Sequence, residues 1–314
     1  MPTSFSKIDT GHRDIVHDAQ MHRHGTRLAT ASSDRMVRIF DVKSEGNGTQ
    51  ISELAGHDGP VWKVAWAPTK SEYMLASCSY DKKVIIWKEI GGAWVKSYEY
   101  GQHENSVNCI AWAPYQYGLT LLAGSTDGKI SILELIDGKW QFFTIENAHE
   151  NGVNGVAWAP YGLSNFGGDG MEQKVIGKRF VTCGSDNKVK VWSFNTSIDK
   201  YEVESELLGH TDWVRDVAWG AFTCDSIAKI VSADQGKNIL LWTCDFDKDE
   251  KVWSKKDFGQ MDEMITNVSF SQLGDTICAS AGDGQVKLWK NIGAEWIEIN
   301  PKSKDAPPSS RNSN

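Results

Sequence analysis

Several features are scarce or missing in this chain of 314 residues. No apolar run approaches the ~18 residues that a membrane-spanning helix needs. The opening Met1-Pro2-Thr3-Ser4-Phe5-Ser6-Lys7 has no apolar stretch after its charge, which argues against a secretory signal. Basic residues are in deficit, 33 Lys and Arg against 41 Asp and Glu, for a net charge of −8. A surface of that sign is poorly suited to phosphate backbones or anionic lipid, so no direct nucleic-acid partner is expected. The cysteines at 78, 109, 183, 224, 244 and 278 form no C-x-x-C pair. That spacing argues against a zinc site and a disulfide framework and fits a reducing compartment. The glycine-rich Gly167-Gly168-Asp169-Gly170 lacks the Lys-Ser/Thr of a phosphate loop. No segment sustains a helical period.

What is abundant is glycine, at 29, and tryptophan, at 14. The tryptophans follow an internal repeat. A histidine is followed four residues later by valine at His12/Val16, His57/Val61, His103/Val107, His149/Val153 and His210/Val214, and a sixth copy keeps the spacing as Met261/Ile265. Five residues further on stand Met21, Trp66, Trp112, Trp158, Trp219 and Phe270. The histidines are spaced 45, 46, 46 and 61 apart, and the long interval contains a glycine-rich insertion, residues 161–178.

Each copy closes on an apolar run such as Val84-Ile85-Ile86-Trp87. Six residues before its end stands Asp34, Asp81, Asp127, Asp186 or Asp283. Short β-branched and aromatic runs split by Asp-Gly, Asn and Gly turns read as strands. In the second copy four are expected, near 61–66, 73–78, 83–88 and 94–99. Four antiparallel strands at a period of about 45 residues are the mark of a β-propeller blade. The expected fold is therefore all-β, one propeller over residues 1–300, with a polar, disordered tail at 301–314.

These features resemble the WD-repeat family: Gly56-His57, Ser77, Asp81 and Trp87-Lys88 follow its pattern. The residues of its tetrad can satisfy one another inside a blade. The tetrad is complete in the second copy (His57, Ser77, Asp81, Trp87) and the fourth (His149, Thr182, Asp186, Trp192). The others depart: Phe40 replaces Trp, Ala123 and Leu133 stand in the third copy, and the sixth has no His. In the fifth, Gly236 stands where the Asp belongs, with Asp234 displaced. Five of the eight histidines are thereby structural, and His17, His22 and His24 make a weak metal signal. No nucleophile–base pair, metal constellation or cofactor motif stands out, so no enzyme and no cofactor is expected.

The resemblance narrows further. Leu75-Ala76-Ser77-Cys78-Ser79-Tyr80-Asp81, the block Thr211 to Trp219 and three Ala-Trp-Ala-Pro blocks ending at Pro68, Pro114 and Pro160 are similar to the Sec-thirteen family. That resemblance implies a six-bladed propeller shared by the outer cage of the COPII coat and the Y-shaped scaffold of the nuclear pore. It would sit at the cytoplasmic side of the endoplasmic reticulum and at nuclear pores, peripheral to the membrane. The implied partners are larger helical proteins that donate a blade in trans, with a vacuolar or lysosomal nutrient-signalling complex as a further assembly.

The residues themselves also point to an open ring. In an ordinary closed ring the segment before the first histidine supplies the outer strand of the last blade. Here the last blade has its own, Glu295-Trp296-Ile297-Glu298-Ile299, which leaves an N-terminal strand at 4–9 surplus. Six blades plus one spare strand describe a ring missing most of a seventh, with Phe5, Ile8, Trp296, Ile297 and Ile299 as candidate partner-binding residues. Trp62 and Trp213, outside the repeat register, are read as inter-blade packing or as anchors on the propeller face. A face-binding adaptor using Trp62, Trp213 and Arg215 is the competing reading.

Overall fold

The computed structural model describes residues 7–43, 47–70, 72–164, 174–175, 177–221, 227–248, 250–293 and 295–299. They form six antiparallel sheets of four strands and one two-stranded hairpin. Phe5, the insertion at 165–173 and the tail at 301–314 lie outside the described residues. The ends of the insertion pair as Leu163–Ser164 with Lys174–Val175.

Blade 2 shows how the sequence builds each unit. Its strands run Val61–Trp66, Met74–Ser79, Val84–Ile90 and Ala93–Tyr100. The second strand is buried along its whole length and the third over Val84–Trp87. A middle strand is covered on both faces by neighbouring blades, so it reads as a continuous apolar run. Ile85 and Trp87 pack back onto blade 1, and Val84 and Ile86 forward onto blade 3. The outer strands, Gly48–Leu54, Ala93–Tyr100, Lys139–Ile145, Lys200–Leu207, Ser254–Gln260 and Glu295–Glu298, are mostly exposed, with a few half-buried positions each, as rim strands should be.

The turn into each third strand repeats. The aspartate accepts the amide of the residue two further on: Met36, Lys83, Lys129, Lys188 or Gln285. This Asx turn needs a left-handed residue between. Arg35, Lys82 and Asn187 take it at φ +63 to +72, and Gly128 and Gly284 take it at +82 and +84; in blade 5 Lys237 is left-handed at +74, but Asp234 accepts the Asn238 amide four residues on.

The first strands line the axis in chain order, from Val16–Met21 through Val61–Trp66, Val107–Trp112, Val153–Trp158 and Val214–Trp219 to Ile265–Phe270. Each carries a bulge after its first residue. A bulge leaves one residue unpaired and re-aims its neighbours. Trp62 is such a residue, which explains its place outside the repeat register. Trp253 lies one residue before the outer strand of its blade.

Candidate functional site

The tetrads are one-way hydrogen-bond relays. In blade 2, Trp87 Nε1–H donates to Ser77 Oγ at 2.9 Å, and Ser77 Oγ lies 2.8 Å from His57 Nε2. His57 Nδ1 stands 2.9 Å from Asp81 Oδ2, which also accepts the Asp58 amide. The carboxylate fixes the proton on Nδ1, so Nε2 accepts the serine proton and no buried polar atom is stranded. Blade 4 repeats this with Trp192, Thr182, His149 and Asp186. Blade 5, read from the sequence as broken, is a correction: Asp234 reaches His210 Nδ1 at 2.8 Å, and Trp242 and His210 meet on Ser232. Asn238 bridges the two-residue displacement by donating its backbone and side-chain N–H groups to Asp234. In blade 3, with Ala123 and Leu133, His103 keeps Asp127 but its buried Nε2 has no partner among the described residues.

Burial alone would raise the Asp81 carboxyl, but the His57 hydrogen bond and charge, with two backbone amides, carry it down to about 2. Burial also lowers His103 and His149 against the pull of their aspartates. All three groups bind protons more readily in the unfolded chain. Their contribution is present above the ordinary values, 3.8 for Asp and 6.5 for His, and is lost as pH falls below them. The thermal unfolding midpoint should therefore decline from pH 6.5 and fall further from pH 3.8 toward about 2, and a flat midpoint over that range would contradict it.

The blades are also tied to one another. Trp66, Trp112 and Trp158 each donate an indole N–H to the preceding blade, on the carbonyls of Gln20, Ala65 and Ala111. Inside the ring, Lys63 of blade 2 crosses to Asp216 of blade 5 at 3.2 Å. Asp216 also accepts Asn267 Nδ2 and the Val268 amide of blade 6. The sequence reading missed this link because its ends lie 153 residues apart and neither residue belongs to the repeat motif.

The ring does not close, and the repeat shows where. At the head of the first strands, Val61, Val107, Val153, Val214 and Ile265 are all 0% exposed, while Val16 is 39% exposed. At the head of the third strands, Val37, Val84, Ile130 and Val189 are 0% exposed and Ile239 1%, while Val286 is 49% exposed. Cys278 is half-buried where Ala29, Ala76, Leu122, Val181 and Val231 are fully covered. Ile15 and Met21 extend the bare side of blade 1, and Leu288 that of blade 6. The uncovered positions are those that blades 1 and 6 would turn toward a seventh blade.

The candidate residues divide around this gap. Ile297 pairs with Lys290 across the sheet and Ile299 donates its amide to Leu288, which sets both on the Val286 and Leu288 face. Trp296 is on the other face, packed against Phe258 and Phe270 toward blade 5. The expected N-terminal strand is absent over residues 7–9. An outer strand needs a third strand to pair with, and none precedes blade 1 among the described residues. The segment instead lies along blade 1, where Arg38 donates to the Thr10 carbonyl and Ile8 Cδ1 stands 2.8 Å from where a Cβ on Gly48 would be. Trp62 bridges blades, donating to Ser106 Oγ and meeting His17 and Tyr80 edge-on. Trp213 remains 47% exposed.

Six four-stranded blades, three of them carrying complete His–hydroxyl–Asp–Trp relays, with one side of the ring uncovered, define a WD-repeat β-propeller in the open form. The model of the WD domain, G-beta repeat family matches residues 4–41, 48–88, 94–133, 140–193 and 255–290. Among similar proteins, Protein transport protein SEC13 of Chaetomium globosum is 53% identical over 289 residues, covering 90% of this chain and 97% of that protein. Protein SEC13 homolog of Dictyostelium discoideum is 49% identical over 293 residues, covering 92% and 95%. Protein transport protein sec13 of Schizosaccharomyces pombe is 48% identical over 301 residues, covering 95% and 100%. The chain belongs to the SEC13 family of WD-repeat proteins.

Proposed function

We propose that this chain is a non-enzymatic scaffold subunit of protein transport that works by receiving a blade from a larger helical partner. The observation that carries the reading is the exposure of Val16 and Val286, whose counterparts elsewhere in the ring are covered. Contiguous apolar surface of this kind is normally an interaction site. In this reading the partner inserts three strands between blades 6 and 1, and the N-terminal segment then has a sheet to join as its outer strand. A ring locked in this way stiffens a helical rod, which suits a coat that bends membrane. Relatives named as protein transport proteins support the COPII outer cage in traffic from the endoplasmic reticulum to the Golgi. The Y-complex of the nuclear pore and the nutrient-signalling complex are further homes for the same geometry.

The test is co-purification of the intact chain with the helical coat subunit and, separately, the helical pore subunit. Each should give a one-to-one complex by light scattering. Deleting residues 1–9 should weaken each by about tenfold, ~1.4 kcal/mol, with the six blades still folded. Full binding without those residues by a ring that closes on itself would replace this reading with a face-binding adaptor.

A further inference from the structure

Opposite the gap, with three blades on either side, the rim between blades 3 and 4 is open in a way the neighbouring rim is not. Between blades 2 and 3, Tyr98 stacks on Trp140, centroids 5.5 Å apart and planes at 25°. Tyr98 pairs with Ile86, and Phe143 pairs with the equivalent Ile132. Trp140 pairs with Leu135, and Tyr201 with the equivalent Phe194. Phe143 and Tyr201 are thus the residues that would close the next rim. Tyr201 leans instead on Phe194 and Phe180 of its own blade. A cleft of about 730 Å³ is left, with Ile136, Phe143 and Ile145 on one wall and Lys178, Phe194 and Tyr201 on the other. Phe143 is 47% exposed, and the buried Tyr201 hydroxyl has no partner among the described residues.

The strand edge beside the cleft is equally bare. The outer strand Lys139–Ile145, KWQFFTI, carries no charge after its first residue. The other five outer strands do, at Glu53, Lys96, Glu202, Lys255 and Glu298. Charges on an edge strand guard its free N–H and C=O groups against pairing with another chain. Here the guard is missing where a cleft walled by Phe143, Phe194 and Tyr201 adjoins.

We propose that this rim is a second docking site, for an extended peptide segment of a partner protein. The segment adds a strand to Lys139–Ile145 and lays one aromatic side chain between Phe143 and Tyr201, as Trp140 lies on Tyr98. Its backbone supplies the partners of the strand edge. The site is independent of the gap and stays accessible when a seventh blade is in place.

The test is selection of displayed linear twelve-residue peptides on the intact chain, with counter-selection on Phe143→Lys. The most enriched peptide, made synthetically, is the probe. It should contain an aromatic residue among β-branched ones. Its affinity should fall at least about tenfold in Phe143→Lys. In Tyr201→Phe, which keeps the ring and removes only the buried hydroxyl, it should stay within about twofold of wild type. Bound peptide should slow amide exchange at residues 139–145 by about tenfold. Phe143→Lys should keep the wild-type unfolding midpoint, since Phe143 is already half exposed. Three results would overturn the proposal: no peptide survives counter-selection, the probe binds Phe143→Lys as tightly as wild type, or residues 139–145 gain no protection. A dimer by light scattering that Phe143→Lys dissolves would assign the edge to a second copy instead.

Discussion

Val286→Asp should abolish capture of the helical partner while leaving the free chain as stable as before. Val286 is 49% exposed in the open ring, so a carboxylate there stays hydrated and costs the fold less than about 0.5 kcal/mol. Once a donated blade covers blade 6, the same position takes on the surroundings of Val37, Val84, Ile130 and Val189, each 0% exposed. An unpaired charge buried in such a place costs roughly 3–5 kcal/mol. The affinity should therefore drop by at least about a hundredfold. Val84→Asp is the matched control: the substitution is the same, the site is already buried, and the chain itself should fail to fold. Titration calorimetry with the partner and thermal unfolding of the free variant read the two effects separately. Partner affinity within about threefold of wild type, less than 1 kcal/mol, would mean that nothing is inserted against blade 6.

This contrast rests on the repeat, which is also what the sequence made legible. The histidine, the tryptophan five residues past the valine and the turn aspartate recur because each blade solves the same burial problem. Their phase therefore gave the blade count and the tetrad members before any coordinates. What stayed hidden depends on reach rather than position. Asp234 stands two residues from its expected place, yet it meets His210 because Asn238 fills the displacement. Trp62 fell outside the register because a bulge turns it toward blade 3, where it binds Ser106. Residues 7–9 carry an outer-strand position without the sheet to pair with, so the pattern of 4–9 suggested a strand that these described residues do not form. Trp296 was grouped with Ile297 and Ile299 because they share a strand, but alternate side chains on a strand face opposite ways.

The relays differ in completeness, and that difference should be measurable as stability. Asp81→Ala removes the acceptor of His57 Nδ1, whose side chain is 1% exposed, together with the acceptor of the Asp58 and Lys83 amides. The Asp58 amide lies at an exposed position and can turn to water, whereas the imidazole N–H cannot. A buried donor left without a partner costs about 1–3 kcal/mol. The Asx turn into the third strand weakens as well, so a loss toward the upper end of that range is expected. Asp283→Ala tests the same turn position in blade 6, where Met261 stands in place of the histidine. Asp283 is exposed, and among the described residues its side chain accepts only the Gln285 amide. Its removal should cost less than about 0.5 kcal/mol. Asp127→Ala in blade 3 should fall between them, because His103 Nε2 is already unpartnered and no relay beyond the imidazole is lost with the contacts to Nδ1, the Glu104 amide and the turn. Denaturant titration of the three variants reads the order directly. Equal losses at Asp81 and Asp283 would show that the turn alone carries the aspartate's contribution and that the relay through His57, Ser77 and Trp87 adds nothing to the stability of the blade.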